Sequence, residues 1–336
     1  MNRLYSYSLD VTGMFVIMIV FFFISTSQLI GKTFSMHIPN SLQQLNTIFL
    51  SILIEAIPFV LIGVLIAGFV QIFVTEEFIR KWIPKNRYMA VLMSCVIGGL
   101  FPACECGIVP IVRRLASKGV PIHAAVGFLL TGPLINPIVI FSTYMAFGND
   151  LRMAILRMGV GFIAALFISL AISYLYKSNQ LKDTALNHTP PISKAARKKS
   201  FYQKLGEMMN HSIDEFFDMG KYLFIGAFIA AFVQTNVATS SLFVFGDGVI
   251  GSTIMMMILA FLLSLCSEAD AFIGASFSHF FPSASVLAFL VYGPMLDLKN
   301  AIMLWGAFRA RFVLVLSVII TLVVFLCIRI ISLLGW

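Results

Sequence analysis

Nine segments of this chain are largely apolar over about the 20 residues that a helix needs to cross a hydrocarbon layer. They are 11–30, 48–74, 89–112, 121–147, 153–176, 212–237, 249–277, 284–308 and 311–332. Composition agrees with the pattern. Of 336 residues, 60% are apolar and 11% charged, where a soluble domain has about 45–50% and about 25%. Too few polar side chains exist to cover a soluble surface. The expected fold class is an all-α polytopic membrane protein with about 7–9 membrane segments.

The formal charge of +8 would raise nucleic acid as a partner for a soluble protein. Here the basic residues lie between apolar runs, so they orient the chain in a lipid bilayer and no nucleic acid is implied. The five cysteines lie in or beside apolar segments, without the spacing of a disulfide framework. Arg3 precedes an apolar run, as in a signal peptide, but the run continues toward Ile30 with no small-x-small site close behind it. Residues 1–30 therefore read as an extra N-terminal transmembrane helix.

One long polar stretch, 177–211, carries Lys177, Lys182, Lys194, Arg197, Lys198, Lys199 and Lys204. It reads as a mobile, basic, cytoplasmic linker between a first repeat, 45–176, and a second, 212–336. The two sides resemble each other. Leu61–Gln71 (LIGVLIAGFVQ) and Phe224–Gln234 (FIGAFIAAFVQ) share seven of eleven positions. Gly132-Pro133 answers Gly293-Pro294, and Cys104-Glu105-Cys106 lies near the position of Cys266-Ser267-Glu268. The outer offsets, 163 from Leu61 to Phe224 and 161 from Gly132 to Gly293, nearly agree. Internal duplications of this kind are frequent in transporters.

Charge then orders the segments. The 75–88 loop (Arg80, Lys81, Lys85, Arg87) and the 113–120 loop (Arg113, Arg114, Lys118) both read as cytoplasmic, yet they flank segment 89–112. A re-entrant hairpin removes the conflict, with Gly98-Gly99, Pro102, Gly107 and Pro110 expected to break its helix. Segment 249–277 becomes a second hairpin, entering from the other side. The expected architecture is two inverted repeats, each with a broken or re-entrant hairpin.

Backbone that breaks at membrane depth must line a wet cavity or find partners within the protein. Four breaks carry the chemistry: Phe101–Gly107, Thr131–Pro137, Cys266–Asp270 and Tyr292–Asn300. At the first, Cys104 and Cys106 turn toward one point if the tip is unwound, and thiolates favour soft ions. They are the candidate metal ligands, with Cys266 as a third sulfur. Glu55, Glu105, Glu268, Asp270 and Asp297 are acids in apolar surroundings, where ionised groups are costly and are retained for function or pairing. Glu105 and Glu268 are candidates for proton coupling. A structural pair with Lys299 or Lys221 is the competing reading, above all for Asp297. Asp214, Glu215 and Asp218 read as capping or solvated acids. Thr131, Asn136 and Asn300 offer polar contacts where helices open. Candidate substrate-binding residues are thus Cys104, Glu105, Cys106, Thr131, Asn136, Cys266, Glu268, Asp270 and Asp297. No Walker A, GxSxG or HExxH pattern appears, so neither an enzyme activity nor a cofactor has a motif to rest on.

FPACECGIVP (residues 101–110) followed by GVPIHAAVGFLLTGPLINP (119–137) resembles the predicted-permease family that includes the ArsP-type organoarsenical efflux permeases. The likeness covers roughly 45–330. It implies a multi-pass permease of a bacterial cytoplasmic membrane, with a thiol-reactive substrate in one branch. Other members resemble partners of a second membrane or lipoprotein component and are linked to metal homeostasis. The reading is a secondary permease for a small thiophilic substrate, such as a trivalent organoarsenical or a soft metal ion. The alternatives are a metal-ion permease subunit with a partner protein, and a membrane thiol-redox protein.

Overall fold

The structure is a computed structural model, and it describes residues 40–75, 77, 79, 83–84, 86–182, 201–236 and 248–335. The first expected span, 11–30, lies outside them, as does most of the basic stretch. Among the described residues the secondary structure is helical: α1 (Asn40–Phe73), α2 (Arg87–Leu100), α3 (Glu105–Ser117), α4 (Ile122–Ile135), α5 (Pro137–Ala146), α6 (Leu151–Leu175), α7 (Phe201–Asn236), α8 (Gly248–Leu263), α9 (Ser267–Phe277), α10 (Ser283–Met295), α11 (Leu298–Ala307) and α12 (Ala310–Leu333). Among the described residues, six stretches are long and apolar enough to cross a membrane: α1, α4 with α5, α6, most of α7, α10 with α11, and α12. Helix α7 begins at Phe201, so the end of the 177–211 stretch is helical.

The order of lengths recurs. A long helix, two short ones, a broken pair and another long one run from α1 to α6, and again from α7 to α12. The breaks fall where local chemistry dictates. Between α4 and α5 it is at Asn136, the residue before Pro137, where the α conformation is disfavoured. Asn136 accepts a hydrogen bond from the Val139 amide at 2.9 Å and so caps α5. Between α10 and α11, Asp297 accepts from the Asn300 amide at 2.5 Å. The α2–α3 break spans Phe101–Cys104, around Pro102. Gly107 and Pro110 do not break α3, contrary to expectation. Pro110 removes one amide donor from within the helix, and packing carries the helix past it.

That packing is close. A Cβ on Gly63 of α1 would collide with the Gly107 carbonyl of α3, and one on Gly107 would lie 2.7 Å from the Phe59 carbonyl. Small residues here let two backbones touch, the usual device where lipid offers no hydrophobic drive. Helix α1 also packs along α7, with Phe49 edge-on to Phe224 at 5.0 Å. Further contacts between the two sets of helices include α3 with α11, α5 with α9, α4 and α6 with α10, and α6 with α12. The short helices of each set thus meet broken helices of the other.

Two arginines fall elsewhere than expected. Arg113 and Arg114 are not loop residues but lie buried within α3. Arg113 donates to Glu215 at 3.0 Å and Asp218 at 2.6 Å, and Arg114 is paired with Glu215. Glu215 is accordingly buried and not solvated. Two buried cations meet two acids, so the network is balanced, which is the condition for keeping charge away from water. Lys221 joins it through Asp218 at 2.8 Å.

Candidate functional site

The four breaks place charged and sulfur-bearing residues at helix ends inside the protein. Cys104 is the N-cap of α3 and Cys266 the N-cap of α9, and neither makes a side-chain capping bond. The first amides of both helices therefore lack intrahelical partners, and the positive end of each helix dipole faces the break. Glu105 and Glu268 occupy the first turns of these helices, where the dipole favours an acid.

At the first break, Cys104 is the N-cap of α3 and Cys106 lies in its first turn, each within the electrostatic reach of the other. Both cysteines are buried and free. The tip expected to be unwound through Gly107 is already helical from Glu105. Glu105, 1% exposed, is paired with Lys299 of α11 at 3.3 Å. Lys299 also stands 3.9 Å from Asp297 and 3.4 Å from the Ser264 carbonyl, at the end of α8. One ammonium thus ties the start of α3 to the α8–α9 and α10–α11 breaks. Glu105 Oε2, Asp297 Oδ2 and Asn300 Oδ1 are buried without a hydrogen-bond partner.

Arg157 of α6 forms a second centre. It is fully buried, donates to Thr143 Oγ1 at 2.7 Å and to the Ser267 carbonyl at 2.9 Å. Its guanidinium thus links α5, α6 and the start of α9. Asp270 of α9 is buried as well, with Oδ2 unpartnered and packed against Gly293 of α10. Its main cationic neighbour is Arg157. Cys266 is half-buried and lies near Glu55, an exposed acid in α1. Ser267 Oγ donates to Glu268 at 3.3 Å.

The buried carboxylates here are Glu105, Asp270 and Asp297, and the buried cations are Lys299 and Arg157. One acid exceeds the cations. An uncompensated charge is costly at this depth. Among the described residues, no group of three or more His, Cys, Asp or Glu side chains is placed to hold a metal ion. A resident zinc site needs about four ligands, and the two adjacent thiols do not supply it.

The family described as "Predicted permease", the ArsP type, matches residues 41–333. A relative from Bacillus subtilis, UPF0718 protein YcgR, is 53% identical over 85% of this chain and 96% of its own length. The chain belongs to this permease family.

A second relative of the permease, from Streptococcus mutans, is 43% identical over 83% of the chain and 91% of its own length. It bears the name "Putative two-component membrane permease complex subunit". UPF0718 protein YraQ of Escherichia coli is 19% identical over 74% of the chain and 70% of its own. No solved structure matches. The protein is thus a multi-pass membrane permease with bacterial relatives, and the family points to a transporter and not an enzyme.

Of the residues singled out from the sequence, the permease fold brings Cys104, Glu105, Cys106 and Asp297 together around Lys299, and Cys266, Glu268 and Asp270 to the start of α9. Thr131 and Asn136 are buried but already engaged. The Thr131 hydroxyl donates to the Gly127 carbonyl at 2.9 Å and faces Gly98 of α2. Asn136 spans the α4–α5 break. Arg157 escaped the sequence reading, although an arginine well inside an apolar segment is itself a signal. Lys299 entered only as a pairing partner, and the fold makes it the junction of the site.

Proposed function

We propose that the permease is a secondary transporter for a small thiophilic species, such as a trivalent organoarsenical or a soft metal ion, working by alternating access. The observation that carries this reading is the Cys104–Cys106 thiol pair at the start of α3, beside the buried Glu105–Lys299 pair that joins the two sets of helices. Two sulfurs suit a substrate with two exchangeable positions or a two-coordinate soft ion better than a four-coordinate one. A transient two-point hold also permits release. Glu105 and Glu268 exchange protons as the substrate arrives and leaves.

The same reading makes α2–α3 and α8–α9 re-entrant hairpins in inverted repeats. Helices α2 and α3, with 14 and 13 residues, extend only about 20 Å each, less than the roughly 30 Å of a hydrocarbon core. Lys118, after α3, donates to the Gln71 carbonyl near the end of α1 at 2.7 Å, so α3 returns to the face from which α2 sets out. Cysteines introduced at Asn86 and Ser117 are expected to react with an impermeant maleimide from the same side. Labelling from opposite sides would make α2–α3 a crossing.

Purified protein in liposomes is expected to accumulate methylarsenite or copper(I) above empty vesicles. Absence of movement across a panel of trivalent arsenicals and soft ions would refute the thiophilic assignment. The name of the Streptococcus mutans relative favours a second reading, in which the chain is one subunit of a two-component permease. Under it, transport appears only on co-reconstitution with a second membrane component.

A further inference from the structure

A cavity of about 450 Å³ lies away from the thiol pair, lined by Arg87 at the start of α2, the α3–α4 turn, and the segment leaving α6 through Asn179. Its size is in the range of ligand sites. Among the described residues, the charged side chains that line it are Arg87 and Lys177, with His123 beside them and no carboxylate. Arg87 is the first residue of α2, and no acid accompanies it in the first turn. A cation at that end of a helix opposes the dipole. It lies over the Tyr174 ring at 5.1 Å.

Helix α4 adds a second positive end. Its N-cap is Pro121, which provides no side-chain capping bond, and Ile122 and His123 line the cavity. The first amides of a helix have no intrahelical partner and suit an anion. The opposing acceptor, the Ala116 carbonyl at the end of α3, is occupied by Asn179 Nδ2 at 3.0 Å and the Gly119 amide at 3.2 Å. At the rim the exposed Tyr88 and Tyr174 join hydroxyls at 2.6 Å, with Met89 and Leu175 exposed beside them. Paired aromatics with apolar neighbours mark the depth of lipid headgroups.

We infer that this cavity binds a phosphate anion, presented by the headgroup of an anionic phospholipid in the leaflet where α2 begins and α6 ends. Arg87 and Lys177 neutralise the charge, the open first amides of α4 donate hydrogen bonds to the phosphate oxygens, and the acyl chains leave past Tyr88 and Tyr174. The inference is independent of the substrate proposed above.

Native mass spectrometry of the full-length protein, delipidated in detergent, tests it with phosphatidylglycerol, phosphatidylcholine and inorganic phosphate as probes. Phosphatidylglycerol is expected to be retained and phosphatidylcholine released. R87A/K177A is expected to weaken phosphatidylglycerol retention about thirtyfold, the weight of two basic residues at an anionic surface. R87K/K177R should keep it, and K204A, an exposed change elsewhere on α7, should match the unaltered protein. If R87A/K177A does not purify as a monodisperse species, R87Q alone gives the same reading. Equal retention by the charge-removing variant, or equal retention of both lipids, would overturn the proposal. Inorganic phosphate that binds at this site while phosphatidylglycerol does not would overturn the lipid source and assign a free anion.

Discussion

Replacing Lys299 with methionine is expected to lower the stability of the permease by about 3–5 kcal/mol, the cost of removing one partner from a buried ion pair. The pair qualifies, because the Lys299 and Glu105 side chains are 4% and 1% exposed. Without the ammonium, Glu105 and Asp297 face each other in a medium that cannot hydrate them. The loss is one of pairing and not of volume, so K299M/E105Q should recover part of it by removing both charges. Denaturant unfolding in detergent, followed by tryptophan fluorescence, measures both variants. K299M as stable as the unaltered protein would show that Lys299 is not the counter-charge of the site. The same substitution should stop transport, because it releases the start of α3 from α11.

C104S/C106S is expected to reduce transport of a trivalent arsenical in liposomes by about a hundredfold, equivalent to about 2.8 kcal/mol of binding free energy. The serine hydroxyl nearly matches the thiol in shape but is a hard donor, so the change isolates softness from packing. C327S, at a half-exposed position in the last third of α12, should transport normally. Full activity in C104S/C106S, with unaltered yield and monodispersity, would remove the thiols from the mechanism. Each single variant should already be severely impaired, because one sulfur cannot complete a two-point hold.

The thiol pair and the ion pair differ in how far they could be read from residues alone. Cys104, Glu105 and Cys106 are neighbours in the chain, flanked by Pro102 and Gly107, so a break beside two thiols and an acid was legible, although the helix resumes at Glu105 and not after Gly107. The breaks at Asn136 and Asp297 were legible too, because Asn and Asp are favoured capping residues and Pro137 restrains the residue before it. Pro110 misled, since a proline within a helix costs one hydrogen bond that close packing against α1 offsets. Arg113 and Arg114 misled for a related reason. As residues in a list they count toward a cytoplasmic loop, but α7 passes beside them with Glu215 and Asp218 and neutralises them inside the protein.

What the sequence by itself determined is the environment and the inventory. A chain with this run of apolar segments must lie in a bilayer as helices, because every backbone amide there needs a partner within its own segment. The residue types at the breaks follow from local rules of capping and proline geometry. Only the tertiary structure decided which charges meet. Lys299 reaches Glu105 across 194 positions of sequence, and Arg157 reaches the Ser267 carbonyl across 110. In a medium without water to stand in as a partner, a buried charge is kept by whatever helix packing brings to it, and packing is set by the whole chain.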